Sequence, residues 1–385
     1  MQSKSRYSYS RNRAQDEQRR RRRIRNWIIL LLLVTIAVVA LRLLNSMGKT
    51  TEITATQLPC YSDQDVTAFG DGVLYYDGAS IQCCSTTGAY RWSVPVGSNA
   101  SFSVSDSNVI VWAGAQIYII NSSGRTTYNE AMTSTVQFAR IGTNYAAVVI
   151  GDDTNPDLLV KDLQGSQVDE ESEGFSGMLL LDVGFYGDSG QYMWTLALDV
   201  YSTAINTVMN TFEVGKMNTG EVSLGENLAY KVIFENSRLR VFTTQLMYTF
   251  DYKAVQDTNS SKLVYGWKVI DSLIPSRGDA SILLAPTSQS GSSQSITNLR
   301  ILIGTDTDNR FNLPETCIGA FLKDSSIYAL SGDTLYRSSS TVQRFYPYTL
   351  PLPEGVQATS YIGLTGDGYM LIAADSSVYA VSMPE

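Results

Sequence analysis

The chain has 385 residues, 44% of them apolar and 10% aromatic, enough for one large domain or two ordinary ones around a packed core. It contains no histidine and four cysteines, none in a Cys-x-x-Cys spacing, which excludes Ser-His-Asp triads, Cys-His nucleophile pairs and the usual zinc sites. Its 29 Lys/Arg and 37 Asp/Glu are spread so unevenly that the net charge of −8 conceals a basic head and an acidic body.

Residues 1–26 carry ten Lys/Arg against Asp16 and Glu17. The Ser/Tyr-rich SRYSYSRNR within them has too little apolar surface to offset the entropy of ordering, so a disordered head is expected. WIILLLLVTIAVVALRLL follows at residues 27–44 and, as a helix, would span about 27 Å, close to the hydrocarbon thickness of a bilayer. It reads as a single transmembrane helix. Trp27 suits one interface, and Arg42 lies near enough the other end for its long stem to reach water. LNSMGKTTE, immediately after it, offers no small-x-small cleavage site, so an uncleaved anchor is expected. RRRRRIR at 19–25 could serve as a nucleic-acid arm, but directly before a membrane span the positive-inside rule accounts for it. The head is therefore placed in the cytoplasm and the rest outside the cell membrane, with no nucleic-acid partner.

Residues 45–51 read as a linker. From Asn45 onward 18 Lys/Arg face 35 Asp/Glu, an acidic exterior that favours basic partners or metal ions over anionic polymers. From residue 52 to 385 the chain is all-β: short alternating runs punctuated by Gly, Asn, Asp and Ser. VTAF (66–69), VLYYD (73–77), SIQCC (80–84) and AYRWSV (89–94) make four strands in about thirty residues, joined by turns rich in residues that tolerate positive φ. The same order returns at 102–129, where Gly124 and Tyr128 repeat Gly88 and Trp92 after 36 residues. Further copies begin near 136, 178, 230, 269, 317 and 358, eight units of about 41 residues, the length of a four-stranded propeller blade. The last unit has three strands, and EITATQ (52–57) is available as its fourth. The expected fold is an eight-bladed β-propeller closed by strand 52–57, with seven blades as the alternative.

Thr87, Gly88 and Trp92 match part of the blade repeat Ala-x-Asp-x-x-Thr-Gly-x-x-x-Trp, so this segment resembles the quinoprotein-like (PQQ-like) propellers, although Gln82 and Cys84 stand where Ala and Asp would be. A basic head, one anchor and an external propeller together also resemble an uncharacterised Gram-positive bacterial family of membrane-anchored β-propeller proteins. The first resemblance implies that an adjacent pair such as Cys83 and Cys84 could close a disulfide ring against a quinone cofactor. The competing reading sends the two side chains to opposite faces of their strand, as buried small hydrophobes.

Asp153, Asn155 and Asp157 alternate like the start of a calcium loop, although Leu158 replaces the turn glycine and Gln164 the terminal acid. A solvated polar turn is the alternative. The middle turns of units three, four and six, GDDTNPD (151–157), DVYSTAIN (199–206) and APTSQSGSSQSIT (285–297), look long and belong on one face of a propeller. The sequence thus supports a non-catalytic platform for an envelope or membrane protein, with a ligand-binding sensor and a quinone-dependent oxidoreductase as the alternatives.

Overall fold

The computed structural model describes Thr35 and residues 53–384, apart from residues 172, 188, 202, 236, 276, 277 and 288–294. The basic head, the apolar segment 27–44 and the linker 45–51 therefore lie outside the described residues, Thr35 excepted. Among the described residues no helix is long and apolar enough to cross a membrane.

Ile53–Met383 forms one unit whose strands make eight four-stranded antiparallel sheets. In seven of them, four consecutive strands pair in chain order, so each sheet is a meander closed by local turns. These blades span residues 66–95, 101–131, 136–171, 178–223, 229–263, 267–317 and 319–349. The eighth combines Ala358–Leu364, Met370–Ala374 and Ser377–Val381 with Ala55–Tyr61, so the blade count is eight. The closing strand starts later than the sequence suggests and runs further. It pairs antiparallel as Ala55 with Val381 and Gln57 with Tyr379, then changes register before Tyr61 meets Ser377. Pro59 lies inside that irregularity, where a residue without an amide hydrogen costs the ladder least.

Alternation decides how the blades fit together. Each buried sheet shows one set of side chains to the preceding blade and the other to the following blade. The apolar core accordingly divides into eight clusters, one at each seam. Phe69, Leu74, Cys83 and Trp92 meet Val109 and Val111 between blades 1 and 2, and Leu58 and Cys60 meet Val73 and Cys84 where blade 8 returns to blade 1. Ile110 and Ile117, next to residues that serve the first seam, serve the seam with blade 3.

A second fastening runs along the outer strands. Trp92 of blade 1 is buried, its indole N–H donates to the Ser122 carbonyl at 3.0 Å, and its ring lies flat on Gly124 of blade 2. A β-carbon at Gly124 would stand 2.4 Å from the indole, and φ is +80° there, so two separate constraints favour glycine. Tyr128 repeats the arrangement over Gly165 of blade 3, and at the next seam Asp169 accepts from the Gly215 amide at 3.0 Å. At these three seams the residue four positions after one turn glycine thus caps the turn glycine of the following blade.

Strand direction separates the turns into two faces. The links that carry the chain from one blade to the next are hydrogen bonded to the middle turns: Val96 donates to Ala79, Met132 to Ala115, Thr207 to Gly225 and Leu350 to Asp333. First and last turns meet one another on the opposite side, as Gly366 with Gly70 and Thr86 with Asp367. Thr54 and Ser382 are joined at that side too, with both backbone and hydroxyl bonds, so the two ends of the ring lie together. We call these the link face and the terminal face.

Of the middle turns predicted to be long, those of blades 3 and 4 lie on the link face and most of the turn within 285–297 lies outside the described residues, but GDDTNPD is a correction. Asp152 and Asn155 pair across a two-residue turn, because the Asp152 carboxylate accepts from the Thr154 and Asn155 amides and closes the hairpin. The polar residues are strand ends rather than an insertion. In blade 4 the Asp199–Asn206 pair does close a longer loop.

Replacing Trp92 with Ala should lower unfolding free energy by about 3–5 kcal/mol in urea melts. Gly124→Ala should also destabilise, and by clearly less once Trp92 is already Ala. Additive costs in that double-mutant cycle would show that the indole does not rest on Gly124.

Candidate functional site

The residues singled out from sequence do not converge. Asp153 is one of the two turn residues of blade 3, while Asn155 and Asp157 sit in the strand that leaves it, opposite Asp152 and Ile150. Among the described residues no three His, Cys, Asp or Glu side chains gather closely enough to hold a metal ion. Cys83 and Cys84 are unbonded, and alternation sends them apart: Cys83 to the seam with blade 2, Cys84 to the seam with blade 8 beside Cys60. Burial pushes the Cys60 thiol up to about 12 and the Cys83 and Cys84 thiols up to about 11, so thiolate is scarce at neutral pH. Cys317, in the seam between blades 6 and 7, is raised by burial to about 12.

Several of the more deeply placed charged groups fasten blades to one another. Arg140 of blade 3 donates to Asp182 of blade 4 at 2.8 Å. Arg240 of blade 5 is buried, pairs with the buried Glu235 carboxylate and donates to the Gly304 carbonyl of blade 6 at 3.0 Å. Blade 6 reciprocates: Arg300 holds Asp308 through two bonds of 2.8 and 2.7 Å and reaches back to the Leu263 carbonyl at 2.9 Å. Burial raises the Glu235 carboxyl above its usual range, and the neighbouring Arg240 opposes that shift. Such bonds contribute orientation more than stability, since each ion gives up its water.

The innermost strands carry a related device. At Asp182 and at Asp271 the register of the first strand shifts by one residue, and the freed carboxylate caps the following amide. Asp271 then crosses to blade 7 and accepts from the Leu322 amide at 2.7 Å. Its burial raises the carboxyl above the ordinary value, against the two amides that lower it.

Two cavities open near these strands. One, of about 620 Å³, follows the inner wall of blades 6 to 8 and is lined by Lys268, Ile270, Ile318, Thr359, Ser360 and Tyr361. Tyr361 is stacked on Phe321 at 4.4 Å between ring centroids, which fixes its ring in the wall. The other, of about 440 Å³ and mostly apolar, lies on the link face between blades 5 and 6, among Tyr230, Thr244, Tyr265, Trp267 and Thr287. The Tyr230 hydroxyl is held there by the Val269 amide at 3.1 Å. Neither cavity was foreseen from sequence. The only early signal was that the middle turns share one face.

No protein-family model and no curated protein sequence matches the chain. Among solved structures it is similar to BamB from Moraxella catarrhalis, with 10% identity, a TM-score of 0.52, and coverage of 86% of this chain and 97% of that one. Sqt1 from Saccharomyces cerevisiae gives 8% identity and a TM-score of 0.56 over 86% of this chain and 100% of that one. Chaetomium thermophilum Sqt1, bound to the N-terminus of the ribosomal protein L10, gives 8% identity and a TM-score of 0.55 over 85% and 99%. At such identities the likeness shows the propeller fold alone.

All four thiols should stay silent to a thiol reagent in the native protein and titrate fully in denaturant; rapid labelling of the folded chain would contradict their burial. Asp271 binds its proton more tightly folded than unfolded, so its contribution is fully present below the ordinary carboxylate range and is lost as pH rises through the raised folded value. From about pH 4 to about pH 7 the wild type should therefore lose stability relative to Asp271→Asn, as read by paired denaturant melts.

Proposed function

We propose that the chain is a non-catalytic interaction platform: an eight-bladed propeller held outside the cell membrane by residues 27–44 and contacting a protein of the membrane or envelope. The observation that carries this reading is the use to which the protein puts its buried and half-buried polar groups. Arg240, Glu235, Arg300, Asp182 and Asp271 are engaged in joining one blade to the next, and the thiols are buried at three of the seams. The link face, by contrast, leaves large apolar side chains in water. In the Chaetomium structure a propeller of this size holds a segment of another protein, which is the kind of occupant we carry over to this chain.

The polypeptide joins the ring at the terminal face, beside its other end. The basic residues before the apolar segment support a cytoplasmic head. A sensor is the second reading, and the 620 Å³ cavity with Lys268, Ser360 and Tyr361 in its wall favours it over an enzyme.

Cell fractionation with protease shaving tests the placement, and in-cell crosslinking of the full chain tests the platform. The propeller should be released only by detergent, be cut by protease added outside intact cells, and bring down the same protein in replicate crosslinking experiments. A propeller shielded from external protease, or crosslinks without a reproducible companion, would overturn the reading.

A further inference from the structure

Among the described residues, the links and middle turns that make up the link face contain Asp63, Asp65, Asp77, Glu226, Asp333 and Asp375, among other acids, and not a single lysine or arginine. Basic residues in turns fall on the terminal face instead, at Arg125, Lys216, Lys253 and Arg344. Against this acidic background, blades 4 to 6 expose a band of apolar side chains: Tyr201 in the long turn of blade 4, Leu228 in the link to blade 5, and Leu263 and Tyr265 around the link to blade 6.

The band is continuous because its segments are hydrogen bonded in series. Leu224 donates to Thr207, Thr244 to Leu228, Val264 to Gln245 and Thr287 to Gly266, each bond joining a link to a neighbouring middle turn. The 440 Å³ cavity lies within this series, with Tyr265 and Trp267 in its wall. Its size suits one large side chain or a short run of residues. Tyr265 is 73% exposed, an aromatic ring held in water with its backbone fixed, as expected of a contact residue before its partner arrives.

We propose that this band over blades 4 to 6 is the docking surface for an extended protein segment that places an apolar side chain in the cavity and flanks it with lysines or arginines. The acids of the face, Glu226 nearest the band, attract such a segment and repel an acidic one, while the apolar cavity supplies the affinity. Lys268 at the cavity wall accommodates one acceptor on the segment, a backbone carbonyl or a carboxylate. This inference rests on the platform reading and adds the location and chemistry of the contact.

A photo-crosslinking residue is introduced into the full chain in its native cells at Tyr265, and separately at Tyr90, which is equally exposed at 70% but begins a strand at the terminal face. The expected result is an adduct from position 265 and not from 90, mapping to a partner peptide with an apolar residue flanked by Lys or Arg. That peptide, synthesised and titrated against the purified full chain, should bind about tenfold or more weakly to Tyr265→Ser and to Glu226→Lys, and more weakly as salt is raised. Circular dichroism melts matched to wild type would show that the variants fold. Adducts from position 90 alone, adducts with lipid, or an acidic crosslinked segment would overturn the docking surface and leave the platform reading standing. No adduct at either position would count against both.

Discussion

Every blade of this ring must satisfy two neighbours at once, and alternation of side chains across a pleated strand is the constraint that makes it feasible. Cys83 and Cys84 show it in the smallest space: adjacent in sequence, they belong to separate seams. The same rule explains why the core is eight clusters rather than one, and why closure by Ala55–Tyr61 matters. Without that strand, the sheet of blade 8 would end in an unpaired edge and the seam holding Val73 and Cys84 would lose Leu58 and Cys60.

Polar fastenings refine what the apolar seams begin. The Trp92–Gly124 and Tyr128–Gly165 contacts set the spacing of outer strands, while Asp182 and Asp271 use a one-residue register shift to reach across inner strands. With the middle of each blade fixed on both sides, variation is left to the turns. That is where the chain sorts its cations: turn acids lie on both faces, while the described turn lysines and arginines lie on the terminal face.

Much of the fold was legible because it is locally encoded. Runs of β-branched and aromatic residues between Gly- and Asp-rich turns marked the start of all eight blades to within two residues, and the matched Gly88–Trp92 and Gly124–Tyr128 pairs carried the repeat. The third member of that series was hidden, since Asp169 keeps the position while changing the chemistry from a stacked ring to a hydrogen bond. GDDTNPD misled for a different reason: composition signals that a chain turns, but pairing decides how many residues do so. The calcium-like triplet and the cysteine pair were visible as motifs, and the strand period separates the two thiols. The link-face cavity was not readable at all. Its walls come from residues 230 to 287, and only knowing which blade abuts which brings Tyr230, Tyr265 and Thr287 together.

Synthesis order gives the joined termini a further meaning. Of the ring's described strands, Ala55–Tyr61 is made first and its partner Ser377–Val381 last, so the outermost strand of blade 8 waits through the making of all the others, tens of seconds at about 5–20 residues per second. During that time it is a lone β-edge. Pro59 and the largely exposed side chains around Leu58 and Cys60 make it a poor template for pairing with another nascent chain. The ring therefore cannot lock until residues 377–381 have been made, and a chain stopped before them would be released with its clasp open.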